Sequence, residues 1–539
     1  MKATRVTRVV LLVAAICGLF PPLHGRSLAQ VRPEVVGDVP SALPVRGLES
    51  LTLDSWTTGF FSGRLGVRAS STDIQKVIRA LLAKSESDTS GLQGFYSALM
   101  SEPRVNGVFA TGRDLRSIAI ALFDERASLR RNREPARDKG LEPYLSLLEV
   151  LAEEVLYAEH LRFPSEGGMF ARVYSTDLDD CPNRHARLNG MEICQGDVLA
   201  SKGGAGTSSF LARMGDRPGN FSHATIAYVD PSDRTLKLAE SFIEDGVKLR
   251  DAQREYAFPG KRKLFIYRYQ PKGAKDRKQV IAKAIEGVDQ FVDLMRSRSG
   301  GRPDIVASFK YDFNMDALSP NRDDEYFCSE IPVAIYRNAG LADAKNPFPR
   351  NEWSQVSGTT ERFFRNFLGI RHNRFPAPSD IDFNPEFTTV GLSIDPGRLG
   401  ADRLDVAMVD TLIQLATTEV STLERFLELS KAIPDRPITA KEIERVRSLG
   451  IIPPEELDKY VSTIPDNIGA KQLIFFGYLD MVLTPRFRAQ MGAIEAAHLR
   501  TAGTPFGLNQ LRAQSARILK VELSAFIAQV ENYSRAAGL

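Results

Sequence analysis

Apolar residues recur with the period of an α-helix in two long parts of the chain. Between residues 73 and 165 the spacing is i, i+3 and i+4, as in Ile74, Val77, Ile78, Leu81 and Leu82. Between 401 and 539 an apolar stripe comprises Ile518, Leu519, Val521, Leu523, Phe526, Ile527 and Val530, and Thr439 with Glu442 has the spacing of a capping box. We therefore predict N- and C-terminal helical regions. Their stripes are typical of helix–helix contacts, and whether they also bind a membrane surface or a protein partner stays open.

Residues 166–375 have shorter segments that favour β-structure. The apolar run 224–229 ends at the turn residues 230–233, and the chain returns as 235–242, so we predict a hairpin. Residues 281–295 carry apolar positions at i, i+4 and i+7, which predicts a helix. Phe309, Tyr311 and Phe313 alternate as in a strand and either fill the core or line a cleft. We expect one α+β domain here.

Segments without a sustained period separate these regions. Residues 376–400 contain four prolines and are predicted to be a linker, and residues 30–72 read as a linker or an extended lead-in. Residues 1–29 have the pattern of a secretory signal peptide, since basic residues precede the apolar run 9–16 and small residues follow at 27–29. We expect export to a bacterial periplasm or secretion. A retained membrane anchor is the alternative.

Composition and charge limit the classes of partner. The 539 residues are 43% hydrophobic, enough for a large core and two or three domains. The net charge of +3 gives no reason to expect a nucleic-acid partner, and no nucleic-acid-binding motif is visible. The basic residues Arg126, Arg130, Arg131, Arg133 and Arg137 are interpreted as a solvated helical face.

Three cysteines remain after removal of the signal peptide. Cys181 and Cys194 flank a polar loop and can form a disulfide, which leaves Cys328 free. His185 lies near this pair, but a disulfide explains the cysteines more simply than a metal site does. The other histidines lack the paired spacing of zinc ligands, so we predict no metal and no cofactor.

Cys328 lies next to the start of a predicted helix. Pro332 fits a helix only in its first turn, so the helix cannot start much before Ser329. The N-terminus of a helix favours the thiolate, which is the nucleophilic form of cysteine. Asp323, Asp324 and Glu325 just upstream oppose it, so a histidinium partner would be needed to favour the anion. Cys328 is therefore a candidate nucleophile, and a buried structural thiol is the competing interpretation.

His223 and Glu240 are the candidate partners of this cysteine. His223 opens the first strand of the predicted hairpin, and Glu240 lies 17 residues later on the second strand. A hairpin with this turn can bring the carboxylate to the imidazole, where it would hold the ring in position. Cysteine, histidine and acid together are the inventory of a thiol hydrolase.

These residues resemble the permuted NlpC/P60 papain-like hydrolases of the YiiX and YebB type, which are related to the lecithin–retinol acyltransferase group. The resemblance covers about residues 190–345. It rests on the ordered segments Gly196-Asp197-Val198-Leu199, Phe221-Ser222-His223, Leu238-Ala239-Glu240, Asp245-Gly246-Val247, Tyr311-Asp312-Phe313 and Phe327-Cys328-Ser329-Glu330. Histidine precedes cysteine, the reverse of the order in ordinary papain-like chains. Two positions depart from the family pattern, Thr225 and Pro332.

The resemblance implies a permuted papain-like core, an antiparallel sheet packed on the cysteine helix. Cys328 would be the nucleophile, His223 the general base and Glu240 the residue that orients the histidine. Ser222, Tyr311 and Ser329 are candidate substrate contacts.

We therefore expect an exported cysteine hydrolase that acts on an amide or peptide bond, with peptidoglycan stem peptides among the substrates. Two alternatives stay open. The same residues would serve a lipid acyltransferase or esterase, and the chain could instead be an exported binding or scaffold protein with an inactive hydrolase fold.

Overall fold

The centre of the fold is a seven-stranded antiparallel sheet. The computed structural model describes residues 112–132, 141–165, 168–174, 181, 184–213, 219–257, 261–270, 277–313, 315, 324–341, 354–355, 361, 374–384, 386–418, 428, 433, 437–462, 468–502 and 505–538. All of them belong to one compact unit, Ala42–Leu539. The predicted combination of helices with an antiparallel sheet is confirmed.

The strands of this sheet come from distant parts of the sequence. In spatial order they are β1 (Phe170–Val173), β13 (Phe387–Ile394), β8 (Lys263–Tyr269), β4 (Val198–Lys202), β5 (His223–Val229), β6 (Leu236–Phe242) and β7 (Gly246–Asp251). Short strands pair outside it: β2 (His185–Leu188) with β3 (Met191–Cys194), β9 (Lys310–Tyr311) with β10 (Glu325–Tyr326), and β11 (Ser354–Gln355) with β12 (Arg374–Phe375). The predicted hairpin corresponds to β5 and β6, which pair antiparallel as expected.

The helices follow in chain order. They are α1 (Gly112–Asn132), α2 (Leu141–Arg162), α3 (Gly206–Ala212), α4 (Ala252–Ala257), α5 (Arg277–Arg298), α6 (Glu330–Asn338), α7 (Asp380–Phe383), α8 (Pro396–Thr418), α9 (Ala440–Ser448), α10 (Pro454–Val461), α11 (Ala470–Tyr478), α12 (Thr484–Ala502) and α13 (Leu508–Ala537). A π-helical turn, Leu479–Leu483, joins α11 to α12. Within the described residues, these helices are too short or too polar to cross a membrane.

Both faces of the sheet are covered at its centre, which explains why β5 and β8 are buried along their whole length without alternation. Successive strand residues point to opposite faces. Ala224 and Ile226 of β5 accordingly belong to the large apolar cluster that includes the helices, whereas Ala227 and Val229 belong to a smaller cluster with the β2–β3 hairpin and α4.

The helical regions and the sheet share one core. Leu148 of α2, Phe265 of β8 and Met408 of α8 belong to the same apolar cluster, and the Phe123 ring of α1 lies 6.0 Å from that of Phe265. The predicted helix 281–295 lies inside α5, and the capping box of Thr439 and Glu442 is formed at the start of α9. The predicted signal peptide, the segment 30–72 and the first part of the N-terminal helical region lie outside the described residues.

The interpretation of 376–400 as a linker is corrected by the structure. This segment contains β13, which pairs with β1 on one side and β8 on the other. The prolines misled the prediction because they lie at the boundaries of elements. Pro376 and Pro378 precede α7, and Pro396 occupies the first position of α8, where the missing N–H costs nothing.

The interpretation of the basic residues on α1 as a solvated face is also corrected. Arg126 and Arg130 are buried, and only Arg131 of the described members is exposed. The Nη2 of Arg126 donates to Glu149 Oε2 at 2.9 Å and to Asp382, and Arg130 Nη1 donates to Thr389 Oγ1 at 2.7 Å. These bonds attach α1 to α2, α7 and β13.

A second buried ionic group attaches α2 to the sheet. The Nζ of Lys263 on β8 donates to Glu149 Oε1 at 2.9 Å and to Glu153 Oε1 at 2.7 Å, and its side chain has no exposed surface. Burial alone would lower the pKa of Lys263, but attraction to both carboxylates raises it. Burial raises the pKa of Glu153 to about 7, because one ammonium cannot fully compensate two buried carboxylates.

The structure joins Cys181 and Cys194 in a disulfide, with their Cα atoms 5.9 Å apart. The bridge ties residue 181 to the end of β3. The next residue, Gln195, continues the attachment, since its Nε2 donates to Ile285 O of α5 at 2.9 Å. The disulfide therefore lies where the β2–β3 hairpin meets α5.

We predict that Lys263→Met lowers the free energy of unfolding by about 3–5 kcal/mol at pH 8, because it leaves the buried Glu153 without its cation and Glu149 with Arg126 alone. The loss should be smaller at pH 6, where Glu153 is protonated in the folded protein. Urea denaturation at both pH values measures this. The matched control is Lys237→Met on β6, whose ion pair with Asp230 is partly exposed and should contribute less than about 1 kcal/mol. Equal losses in the two variants would contradict the prediction.

Candidate functional site

Cys328 lies in the turn between the short strand β10 and α6, two residues after the strand ends and two before the helix begins. Pro332 falls in the first turn of this helix, as the sequence predicted. Ile331, Val333 and Ile335 are buried and pack α6 onto the sheet. The position of the cysteine is thus fixed by the apolar face of the helix that follows it.

Two close contacts set the position of α6. The Tyr336 hydroxyl donates to the carbonyl of Gly196 at 2.7 Å, so α6 is bonded to the turn before β4. On its other side α6 meets α5 at Gly287, where a Cβ atom would lie 2.8 Å from Ala339 Cβ and 3.0 Å from Ile335 O. A side chain at 287 would therefore push the two helices apart.

The motif Gly196-Asp197 has a structural role. Gly196 has a φ of +87°, a conformation that glycine adopts without strain. The Asp197 carboxylate accepts from Arg268 Nε at 2.9 Å and Nη2 at 2.8 Å, and from the Cys194 N–H at 2.8 Å. Gly246 is constrained as well, because a Cβ there would lie 2.2 Å from Phe309 O.

His223 and Glu240 meet as the hairpin predicted. His223 Nε2 and Glu240 Oε2 are 2.9 Å apart, and both residues are buried. Ile226 pairs with Ala239 in the ladder, so Glu240 lies diagonally across from the start of β5. The imidazole also stacks on the Phe242 ring, with 4.6 Å between the ring centroids.

The sulfur of Cys328 lies against the backbone on both sides of His223. Its S–H donates to the carbonyl of Ser222, with an S···O distance of 3.9 Å, and the N–H of Ala224 faces it from the other side. Among the described residues, the hydrogen bond of the thiol goes to this carbonyl and not to the imidazole. Cysteine and histidine are thus neighbours that do not share a proton in this conformation.

Burial sets the charge of both groups. It raises the pKa of the Cys328 thiol, and the N–H groups of Ala224 and Ser329 only partly offset this. It lowers the pKa of His223 well below its usual value, with further lowering by the positive charges of Lys261 and Arg250. The expectation that the helix N-terminus favours a thiolate is therefore corrected, because desolvation outweighs it. Thiol and imidazole are both neutral at pH 7.

The carboxyl group of Glu240 is close to its titration point near neutral pH. Burial raises the pKa of Glu240 to about 7, against the opposing charges of Lys261 and Arg250. The carboxylate form can only accept a hydrogen bond from His223 Nε2, whereas the protonated form can donate one.

A narrow cleft opens beside the sulfur. Its volume is about 10 Å³, which is room for about one water molecule, and it is lined by Leu211, Ser222, Tyr311, Met315, Phe327, Cys328, Phe375, Pro376 and Pro378. Apart from Ser222, Cys328 and the Tyr311 hydroxyl, this lining is apolar. Of the candidate substrate contacts, Ser222 and Tyr311 line the cleft. The Ser329 hydroxyl instead donates to the carbonyl of Pro376.

Several lining residues were not identified from the sequence. Pro376 and Pro378 were assigned to a linker, and Met315 had no motif to indicate it. The helix α3 supplies Leu211 to the lining. The only indication of the cleft in the sequence was the apolar character of the residues around 327 and 375.

No protein-family model, curated protein or solved structure matches the chain. The permuted papain-like core is therefore a hypothesis that rests on the order of the motif residues and on the geometry described above.

We predict that alkylation of Cys328 by iodoacetamide is slow at pH 7 and reaches half its maximal rate above about pH 8.5, the ordinary titration point of a cysteine. The reason is the raised pKa of the buried thiol. Stopped labelling followed by mass spectrometry gives the rate at each pH, with the denatured protein as the control. Half-maximal labelling below pH 7 would mean that a thiolate–imidazolium pair exists before substrate binds, contrary to this prediction.

Proposed function

We propose that this protein is an exported cysteine hydrolase that cleaves an amide or peptide bond through Cys328, His223 and Glu240. The observation that carries the proposal is the 2.9 Å hydrogen bond between His223 and Glu240, next to the Cys328 sulfur. The sulfur itself contacts the backbone of Ser222 and Ala224, the two residues that flank the histidine. We also propose that α6 and the sheet form a permuted NlpC/P60-like core, because the motif residues lie in the family order around this site.

The reaction would begin from neutral groups. The Cys328 S–H turns from the Ser222 carbonyl to His223 Nδ1, since Nε2 is occupied by Glu240. The sulfur attacks the substrate carbonyl carbon as its proton moves to Nδ1, and the resulting imidazolium is stabilised by the Glu240 carboxylate. Backbone N–H groups near the cysteine, at the start of α6, can stabilise the oxyanion.

The intermediate then collapses. The imidazolium returns its proton to the leaving amine as the C–N bond breaks, which leaves a thioester on Cys328. Water attacks this thioester in a hydrolase, with His223 again taking a proton, and the acid product leaves as the thiol reforms. Peptidoglycan stem peptides are among the amides that an exported enzyme would meet.

The lining of the cleft favours a related second candidate, an acyltransferase or esterase. The space next to the sulfur is bordered by Phe327, Phe375 and Met315, so it favours an apolar acyl group over a charged one. If an alcohol or amine replaced water in the second step, the same residues would transfer that acyl group.

A non-catalytic role remains the alternative from another class. The observation that favours it is the neutral, buried thiol, whose hydrogen bond goes to a backbone carbonyl. An exported binding or scaffold protein would need no more than this packing. Acylation of the cysteine separates the two classes, since a structural thiol forms no acyl adduct.

We predict that 4-nitrophenyl butyrate acylates Cys328 in single-turnover experiments at pH 8, detected as nitrophenolate release and as a mass increase on the peptide that contains residue 328. Cys328→Ser should abolish the adduct, and His223→Ala should slow it about 100-fold or more, because the proton acceptor is lost. His498→Ala is the matched control, since that ring stacks on Phe506 of the C-terminal region. Absence of an adduct in the wild-type protein would support the non-catalytic alternative.

The apolar cleft leads to a prediction of acyl-group preference. Among 4-nitrophenyl esters, each methylene added from acetate to butyrate should raise kcat/KM by about fourfold, as expected when about 0.8 kcal/mol is gained per buried CH₂. The succinate half-ester should react more slowly than butyrate, because its carboxylate would enter an apolar site. A preference for the succinate ester would contradict this account of the cleft.

A further inference from the structure

Glu240 has a second oxygen that His223 does not use. Its Oε1 is buried and has no hydrogen-bond partner within the described part of the chain, and the same is true of Arg250 Nε. These two atoms face each other at 3.6 Å. A buried donor and a buried acceptor, neither of which has a hydrogen bond, thus lie at slightly more than hydrogen-bond distance from each other.

Arg250 is fixed in this position from several sides. It belongs to β7, the neighbour of β6, and pairs with Leu238, two residues before Glu240. Its Nη2 donates to Asp245 and its Nη1 to Glu255 at 3.4 Å. The guanidinium also lies over the Phe242 ring, 4.6 Å from the centroid, and that ring carries the stacked imidazole of His223.

The protonation of Glu240 decides which nitrogen of His223 carries the proton. A carboxylate accepts from Nε2–H, which leaves Nδ1 as a base with a free lone pair. A protonated Glu240 donates its O–H to Nε2, so the neutral ring must carry its proton on Nδ1. In that second form His223 cannot accept the proton of Cys328.

We propose that Arg250 is a positioning residue, which holds Glu240 as the carboxylate so that His223 keeps its proton on Nε2 and its Nδ1 free. The catalytic importance of Arg250 rests on the proposed function, whereas its effect on the His223 tautomer does not. The charged and titratable groups around Glu240 are His223 on β5, Lys248 and Arg250 on β7, Glu255 and Tyr256 on α4, and Lys261 before β8. Arg250 is distinguished from Lys261 by its direct approach to Oε1.

The test is the tautomer of His223, measured by ¹⁵N NMR on histidine-labelled protein at pH 6–8.5, with the resonance assigned by its loss in His223→Gln. We expect the Nε2–H form in the wild-type protein at pH 8. In Arg250→Gln we expect the Nδ1–H form to persist to higher pH, so that the transition moves up by about one unit, which is tenfold in the ratio of the two forms. Arg250→Lys keeps the charge and should stay close to wild type.

Controls separate a specific effect from a general loss of structure. Arg296→Gln removes a half-exposed arginine next to Tyr228 and should leave the tautomer unchanged. In a Glu240→Gln background, Arg250→Gln should have no further effect, because Arg250 acts through the carboxylate. If Arg250→Gln does not fold, the double variant Asp245→Asn with Arg250→Gln removes the arginine together with its main anion and gives the same readout.

The experiment distinguishes a failure of the proposed role of Arg250 from a failure of the proposed hydrolase function. An unchanged tautomer transition in the folded variant would overturn the role of Arg250. A shifted transition in a protein whose Cys328 is never acylated would support the effect of Arg250 on Glu240 and overturn the hydrolase. If both hold, acylation at pH 7 should fall about fivefold in Arg250→Gln through kcat, with KM unchanged, because about half of Glu240 is already protonated at this pH in the wild-type protein, and it should recover at higher pH.

Discussion

The structure depends on charges that are buried where helices meet the sheet. Glu149 on α2 accepts from Arg126 on α1 and from Lys263 on β8, so one carboxylate joins two helices and a strand. Such groups cost several kcal/mol each in desolvation and are tolerated only when their partners are placed accurately. An apolar contact can shift without great loss, but these bonds allow one arrangement. They hold the helical regions to the sheet in a fixed position, and with them the elements that carry the site.

The parts of the fold that depend on local pattern were predictable from the sequence. The hairpin of β5 and β6, the helix α5 and the first turn of α6 each follow from apolar period, turn residues or the restrictions on proline. The burial of Arg126 and Lys263 was not predictable, because the sequence does not distinguish a buried charged residue from an exposed one unless its partner is known. Glu149 lies 114 residues from Lys263, and Asp382 lies 256 residues from Arg126. Patterns within a short stretch of sequence cannot indicate pairs that are so far apart along the chain.

The site shows the same division. The pairing of His223 with Glu240 could be predicted, since the turn at 230–233 fixes which residues of the hairpin lie near each other. The charge of Cys328 could not, because it depends on desolvation by residues that the chain brings in from elsewhere, among them Phe375 and Pro376. The sequence identified a helix N-terminus and its attraction for an anion. The structure adds that this anion would have to form in a dry environment, so that the resting thiol and imidazole are neutral groups and not an ion pair.

The place of β13 in the sheet has a consequence for biogenesis. This strand lies between β1 and β8, but the ribosome makes it more than a hundred residues after β8. Until residue 394 has emerged, β8 presents an unpaired edge and β1 has no neighbour. Exposed edges of this kind promote association with other chains. A chain of this design would gain from being kept unfolded until its synthesis is complete, and this side of the sheet would be completed last, when β13 pairs with β8 and β1 adds to β13.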